Sequence, residues 1–254
     1  MFGGDKKLSS LLLAISFLTI IPVYEKTARE EEMANSLYFY PLVGFIIGGV
    51  LAFFVFLGHS ISLGWGADAF IIVLWIIITG GLHLDGVMDS ADGIFSGRDR
   101  KKKLEIMKDS RVGAMGVITF GALILLKFSF LSLLEYSDKL WVVLLAPATG
   151  RFLMVYSIVF FTYARSGPGL GKAFGNQAGK VKFFGAALVL LIGGFLAANL
   201  TGLLIIAVVV FISALIAAWI GYVLGGQTGD TYGAICEVSE TLFIMAAVLV
   251  VALK

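Results

Sequence analysis

Three aspartates stand close together in residues 80–93, and their spacing is suited to metal-dependent chemistry. Asp85, Asp89 and Asp92 occupy positions i, i+4 and i+7, so on a helix they share one face within an arc of about 60°. Carboxylates this close repel one another unless a cation binds or some are protonated. Their hard oxygen atoms suit Mg²⁺, Ca²⁺ or Mn²⁺ rather than zinc. We therefore predict a divalent metal site here, in preference to an acidic helix end or an ion pair with the basic run that follows.

Two further acidic pairs have helical spacing. Glu105 and Asp109 are four residues apart, and Asp230 and Glu237 are seven apart in a glycine-rich segment. Asp109 could contact the metal or the substrate, or it could cap the next helix together with Ser110. We expect Glu105 to pair with a neighbouring lysine. The glycines near Asp230 permit a tight turn and the close approach of a ligand, although a plain turn between two helices has the same composition.

Several basic side chains accompany these acids and suggest a phosphorylated substrate. Arg151 lies within an apolar run, so it should face the protein interior or a polar cavity. Phosphate binding and an ion pair with an acid both remain open for Arg151, and we favour phosphate. Lys127 also lies in an apolar run. We expect its side chain either to be buried in the helix bundle or to extend to the membrane surface. His83 could orient a ligand or form a structural hydrogen bond. Carboxylate-bound metal beside Arg and Lys is typical of phosphoryl transfer.

The elements that position these residues are membrane helices. Of the 254 residues, 59% are hydrophobic and 14% charged, against about 45–50% and about 25% in soluble domains. The mean hydropathy is +0.98. This composition excludes a soluble enzyme, a disordered chain and a nucleic-acid-binding module. We predict an all-α, polytopic membrane protein with about seven (six to eight) transmembrane helices, residues 1–254 forming one domain, at about 20 residues per crossing.

The apolar runs and the basic loops define a predicted topology. The eight runs cover residues 8–23, 37–57, 67–84, 113–134, 140–163, 183–200, 202–224 and 241–253. The first run has only 16 residues, so we expect it to be retained and either to lie in the membrane interface or to re-enter the membrane, rather than to cross. Residues 85–112 and 164–182 are rich in Lys and Arg, including Arg165 and Lys172, which predicts a cytoplasmic location. Four predicted crossings separate residues 85–112 from residues 225–240. Because this number is even, both segments should face the cytoplasm.

At these residues the sequence resembles the cobalamin-5′-phosphate synthase family, also called adenosylcobinamide-GDP ribazoletransferases. The resemblance covers essentially the whole chain. One departure is Ile20, which stands in Phe17-Leu-Thr-Ile-Ile-Pro22 where the family usually has Arg. The matching segments are Leu82-His-Leu-Asp-Gly86, Asp89-Ser-Ala-Asp-Gly93, Ile106-Met-Lys-Asp-Ser-Arg-Val-Gly113, Gly229-Asp-Thr-Tyr-Gly-Ala-Ile-Cys-Glu237 and Phe39-Tyr-Pro-Leu-Val-Gly44.

The resemblance implies the closing step of the nucleotide loop of vitamin B12. Adenosylcobinamide-GDP would react with α-ribazole or its 5′-phosphate, giving adenosylcobalamin or its 5′-phosphate and GMP. It also implies Mg²⁺ and a location in the bacterial or archaeal cytoplasmic (inner) membrane, in contact with lipid and without nucleic acid. Monomers and homo-oligomers both remain open. The alternative is a related membrane phosphotransferase acting on CDP-alcohols, whose Asp-x-x-Asp-Gly-x-x-Ala-Arg motif this sequence lacks. A transporter is disfavoured because the acids cluster at one membrane face.

Within that reaction, the acidic residues receive metal and base roles. Asp85, Asp89 and Asp92 are expected to hold one or two Mg²⁺ ions on the pyrophosphate of the activated corrinoid. Either Asp92 or Asp109 is expected to accept the proton of the attacking ribazole 3′-hydroxyl.

The remaining candidates are expected to bind substrate. Lys108, Arg111 or Arg151 would neutralise the phosphates, because each carries a positive charge close to the acidic segments. Asp230 and Glu237 would complete the metal shell or bind ribose hydroxyls. The spacing of Asp230 and Glu237 and their predicted position on the same membrane side motivate this assignment.

Overall fold

The computed structural model describes residues 3–166, Phe174 and residues 178–253, and side chains from Lys7 onwards. Lys172, one of the basic residues expected at the cytoplasmic face, lies outside the described residues. The described part is built of α-helices and contains no strand, only one isolated bridge between Tyr163 and Gln227. The predicted all-α, polytopic class is confirmed.

The long helices follow the predicted apolar runs. In chain order they are α1 (Gly3–Leu18), α2 (Glu30–Ser36), a 3₁₀ turn (Leu37–Phe39), α3 (Tyr40–Ser60), α4 (Trp65–Thr79), α5 (Leu82–Ile94), α6 (Arg100–Ile106), α7 (Ala114–Ser132), α8 (Tyr136–Phe160), α9 (Lys180–Leu224) and α10 (Gly229–Ala252). The apolar part of α1, Lys7–Leu18, is shorter than a crossing requires.

Helix α9 is a hairpin rather than one continuous span. Its 45 residues would extend about 68 Å at 1.5 Å per residue, more than twice the roughly 30 Å core of a bilayer. The helical dihedral angles break at Ala198 and Asn199. A Cβ atom on Gly202 would lie 2.7 Å from the carbonyl oxygen of Gly194, so the two arms lie against each other.

The described residues contain five helices that are long and apolar enough to span a membrane. The α4–α5 pair, bent by 89°, makes six if it is counted as one broken span. The break at Ala198 and Asn199 divides the longest of the five helices into two arms. The protein is thus a membrane protein with several spanning helices, as its hydropathy predicts.

The centre of the bundle is α8, which packs closely against α3. Gly44 and Gly48 of α3 face the α8 backbone, and added Cβ atoms would lie 2.4 Å from Ala148 Cα and 2.6 Å from the Leu144 carbonyl oxygen. This four-residue spacing of glycines lets two membrane helices approach closely. The contact fixes α8 as the helix around which the other elements are arranged.

Replacing Gly48 by leucine should separate α3 from α8. We expect Gly48→Leu to lower the free energy of unfolding by about 1–3 kcal/mol, because a side chain there has no space. Gly49→Leu is the matched control, since a Cβ on Gly49 meets nothing within 4 Å. Thermal unfolding in detergent measures the difference, and equal midpoints for the two variants would contradict this packing.

Candidate active site

The acidic helix α5 is bent away from the axis of α4 at two glycines. Gly80 and Gly81 have φ angles of 62° and 68°, a left-handed conformation that side chains other than glycine adopt with difficulty. The resulting 89° bend directs α5 across the bundle, against α7 and α10. Asp85 and Asp89 lie on this helix, one turn apart.

The first turn of α10 is held in place by hydrogen bonds on both sides. Thr228 caps the helix, and its Oγ1 atom accepts a hydrogen bond from the Thr231 amide at 3.2 Å. The preceding Gln227 donates its N–H to the Thr162 carbonyl and accepts from the Ala164 N–H, both at 2.8 Å. This bridge joins the end of α8 to the start of α10, and it brings the following Arg165 towards Asp230.

Helices α5 and α10 cross at close range where both contain glycine. A Cβ on Gly86 would lie 2.5 Å from the Asp230 carbonyl oxygen, and one on Gly233 would lie 3.0 Å from His83 Cα. Only small residues allow two helices this near each other. The crossing therefore brings the carboxylates of α5 together with Asp230 of α10.

Three carboxylates and one arginine lie near enough at this crossing to interact electrostatically. Asp89 interacts electrostatically with Asp85, Asp230 and Arg165, and Arg165 forms an ion pair with Asp230 at 2.5 Å. The Arg165 guanidinium also donates to the Met107 carbonyl at 3.3 Å. Three negative charges against one positive charge leave two negative charges in excess. We call Asp85, Asp89, Asp230 and Arg165 the acidic cluster.

Asp85 and Asp89 are the carboxylates of the cluster that are free to bind a ligand. Neither side chain makes a hydrogen bond or ion pair with the described part of the chain, and Asp85 is exposed while Asp89 is half-buried. Unpaired carboxylates beside other carboxylates attract cations. The site thus has both the charge and the oxygen donors that a divalent cation needs.

The donor chemistry fits Mg²⁺, but the protein alone does not form a closed cage. Among the described residues, no three His, Cys, Asp or Glu side chains converge as a preformed metal site. Mg²⁺ is usually held by one or two carboxylates together with water and substrate phosphates. Two free carboxylates are therefore compatible with a Mg²⁺ site that substrate completes.

Asp92, the third aspartate of the predicted series, contacts the beginning of α7. Its two oxygen atoms accept hydrogen bonds from the amides of Gly113 at 2.6 Å and Gly116 at 2.8 Å. A negative charge at a helix N-terminus satisfies unpaired amides and favours the helix dipole. Asp92 thus connects α5 to α7, with each of its oxygen atoms accepting one hydrogen bond.

We predict that Asp92→Ala destabilises the protein more than Asp92→Asn does. Alanine removes both acceptors at the start of α7, and loss of such a cap costs about 1–2 kcal/mol; asparagine retains one acceptor. Thermal unfolding of the two variants in detergent measures this difference. An alanine variant that unfolds like the unsubstituted protein yet shows no turnover would instead support direct participation in the chemistry.

Asp109 and its neighbours lie in the exposed connection between α6 and α7. Arg111 forms an ion pair with Asp109 at 2.7 Å, and Lys108 is exposed nearby in the chain. Hydrogen bonds from the Arg111 side chain lower the pKa of the Asp109 carboxyl to about 2. Asp109 does not cap α7, since Asp92 occupies that position. Glu105 pairs with Lys102 at 3.1 Å, as expected.

The charged residues Arg151 and Glu237 belong to a second, buried group. Lys127 contacts Glu237 at 2.6 Å and Glu240 at 2.7 Å, and Arg151 forms an ion pair with Glu240. These four side chains are between 0% and 4% exposed. We call Lys127, Arg151, Glu237 and Glu240 the buried charge network; it joins α7, α8 and α10. His83 is its link to α5, because Arg151 Nη2 lies 3.5 Å from His83 Nδ1.

A small cavity lies between the acidic cluster and the aromatic side chains around α1. It has a volume of about 130 Å³. Its wall includes Asp85 and Asp230 from the acidic cluster, so a molecule in the cavity would be adjacent to the free carboxylates. The cavity wall also includes His83, Phe17 and Phe174.

Sequence reasoning did not single out Arg165 or Glu240 as individual site residues. Arg165 was one of several basic residues in a loop rich in Lys and Arg, which by itself indicates only topology. Glu240 follows Glu237 at a spacing of three, so both share a helix face. That spacing was the available signal for a buried pair of acids opposite Lys127 and Arg151.

Comparison with known proteins identifies the family. The family described as cobalamin-5-phosphate synthase matches residues 10–248, a range that contains the acidic cluster, the buried charge network and the cavity. The chain belongs to this family. It is therefore a transferase of cobalamin biosynthesis, and the resemblance read from the motifs is confirmed. No solved structure matches the chain.

Relatives from several bacteria carry one name. An adenosylcobinamide-GDP ribazoletransferase of Desulforamulus reducens is 49% identical over 95% of this chain and 96% of its own length. Proteins of the same name from Roseiflexus sp. and Acetivibrio thermocellus are 38% and 36% identical, over 93% and 94% of this chain and 88% and 97% of their own lengths. Family membership also removes the support for the CDP-alcohol alternative.

Proposed function

We propose that this protein is an adenosylcobinamide-GDP ribazoletransferase. Its substrates would be adenosylcobinamide-GDP and α-ribazole or α-ribazole 5′-phosphate. The ribazole 3′-hydroxyl oxygen forms a bond to the phosphorus that carries cobinamide, the bond from that phosphorus to GMP breaks, and the hydroxyl proton is released to a carboxylate. The named relatives support the reaction. The observation that supports its location is the pair of unpaired carboxylates, Asp85 and Asp89, beside the Asp230–Arg165 ion pair.

Asp85 and Asp89 are the residues that would hold Mg²⁺, with Asp230 next to them. When bound, Mg²⁺ neutralises phosphate charge and polarises phosphoryl oxygens. We assign Asp92, a predicted metal ligand, to keeping α5 and α7 in register through its two backbone hydrogen bonds. The protein's own contribution is thus to hold two free carboxylates at a fixed helix crossing.

Arg165 is the arginine best placed to contact the substrate phosphates. It already lies among the carboxylates, where its guanidinium can bind two phosphate oxygens at once. Arg111 and Lys108 are exposed and could attract the polyanionic substrate from outside the site. Arg151 is fully buried against Glu240, so we assign Arg151 and Glu237 to positioning the helices rather than to substrate binding.

The proton acceptor is expected within the acidic cluster. An efficient general base has a pKa near the working pH, whereas the Asp109 carboxyl has a pKa of about 2 beside Arg111. Asp92 is held at the start of α7 by two amide hydrogen bonds, which fix its carboxylate away from a free position in the cluster. Asp85 and Asp89 have no such hydrogen bonds from the described residues, so we place the acceptor there.

We propose that the site faces the cytoplasm from the cytoplasmic membrane and that residues 1–254 form one domain. Basic side chains surround the site end of the bundle, with Arg165 in the cluster and Arg100 donating to the Gly225 carbonyl at 3.0 Å. Cytoplasmic loops carry such an excess of Lys and Arg. The uncharged exposed faces of α3, α7 and α9 would contact lipid.

The proposed reaction is tested with purified protein in liposomes. Adenosylcobinamide-GDP and α-ribazole are supplied with Mg²⁺ or with EDTA, and GMP and corrinoid products are separated by chromatography. We expect GMP and a cobalamin in equal amounts, and only with Mg²⁺. A folded protein that releases no GMP from this pair, but converts a CDP-alcohol, would overturn the proposal.

A further inference from the structure

The cavity beside the acidic cluster has room for one edge of an aromatic ring system. Pockets for whole ligands are typically about 300–1,000 Å³, and an engineered cavity of about 150 Å³ binds benzene. At about 130 Å³, this cavity is much too small for a corrinoid. It can receive only a small, compact part of one substrate.

The apolar wall of the cavity favours an aromatic group. The Phe17 and Phe174 rings lie 6.0 Å apart, edge to face, and Tyr40 packs behind them at 6.3 Å and 6.4 Å. Aromatic rings attract one another in such tilted and offset arrangements. A flat aromatic base can extend this cluster, whereas a sugar or a phosphate would lose its hydration against it.

The polar wall of the cavity contains a buried donor without a partner. Arginine has only donors, so the Arg151 guanidinium beside His83 Nδ1 requires that nitrogen to act as acceptor. The proton of the neutral imidazole then lies on Nε2. His83 Nε2 is buried and has no hydrogen-bond partner among the described residues. A buried donor of this kind is expected to be met by a ligand acceptor.

We propose that this cavity binds the aromatic base of the acceptor nucleoside and that His83 donates a hydrogen bond to the unsubstituted ring nitrogen of that base. The proposal rests on the proposed ribazoletransferase function. A benzimidazole nucleoside has one such nitrogen, the other being bonded to ribose. Because Asp85 and Asp230 share the cavity wall with His83, a base held there leaves its ribose at the carboxylates where the hydroxyl must react.

The test compares two acceptors that differ in one atom. The α-ribosides of dimethylbenzimidazole and dimethylindole have the same shape, but the indole has C–H in place of the acceptor nitrogen. We expect the unsubstituted protein to use the benzimidazole riboside with a kcat/KM about tenfold or more above that of the indole, since the indole leaves the His83 donor unpaired. In His83→Phe this ratio should fall to about one.

The ratio of kcat/KM for the two acceptors does not depend on how much of the variant is folded, because both acceptors are tested with one preparation. His83→Gln, which retains an N–H donor, should keep part of the preference, and KM for adenosylcobinamide-GDP should change little in either variant. If His83→Phe preferred the benzimidazole riboside over the indole riboside as strongly as the unsubstituted protein does, the base-binding proposal would be overturned. Absence of transfer to every acceptor by the unsubstituted protein would instead overturn the proposed function.

Discussion

Asp89→Asn should retain the fold and lose almost all transferase activity. The Asp89 side chain makes no hydrogen bond or ion pair within the described part of the chain, so the amide can replace it without unpairing another group. It removes one of the two free charges that would hold Mg²⁺ on the phosphates. Loss of one electrostatic stabiliser of a transition state costs about 10²–10³ in kcat, and we expect at least this loss.

Glu105→Gln is the matched control for Asp89→Asn. It removes one negative charge from α6, outside the acidic cluster, at an exposed pair with Lys102, where the contribution to stability is about 0–1 kcal/mol. GMP release and thermal unfolding should both be close to those of the unsubstituted protein. If Asp89→Asn kept full Mg²⁺-dependent turnover, the acidic cluster would not be the metal site.

Lys127→Met should destabilise the protein strongly, by about 3–5 kcal/mol, which is the usual cost of removing one partner of a buried ion pair. Lys127 contacts both Glu237 and Glu240 in the bundle interior. Without it, two buried carboxylates face the single positive charge of Arg151. The lower midpoint of thermal unfolding in detergent would measure the effect.

A second substitution should recover much of this loss. In Lys127→Met/Glu237→Gln, one carboxylate, Glu240, remains opposite one guanidinium, Arg151, and the buried charges balance again. Lys102→Met in the exposed pair with Glu105 is the control, with an expected change below about 1 kcal/mol. A double variant as unstable as the single one would contradict charge imbalance as the cause.

Composition and apolar run length were sufficient to predict the helical class and a membrane protein with several spans. They could not predict the bend between α4 and α5, because the run that ends at residue 84 reads as one span and includes Gly80 and Gly81. The left-handed conformation of these glycines divides it there. By contrast, the separation of residues 183–200 from 202–224 corresponds to the break at Ala198 and Asn199 within α9.

The spacing of the aspartates predicted a shared face but not the partners of each carboxylate. Asp85 and Asp89 remain free, whereas Asp92 reaches the amides of Gly113 and Gly116, a contact across 21 and 24 residues that periodicity within one helix cannot indicate. The partners of Arg151 and Glu237 likewise lie on other helices. Which buried acid pairs with which base depends on how helices cross, and a single sequence does not encode this in its local pattern.

The central claim is that Asp85 and Asp89 form the divalent metal site, and Mn²⁺ binding measured by electron paramagnetic resonance tests it most directly. Mn²⁺ replaces Mg²⁺ at oxygen ligands, and its free and bound forms give separate signals. With adenosylcobinamide-GDP present, we expect saturable Mn²⁺ binding by the unsubstituted protein and by Glu105→Gln, and its loss in Asp85→Asn/Asp89→Asn. Equal Mn²⁺ binding by a folded Asp85→Asn/Asp89→Asn protein would contradict the claim.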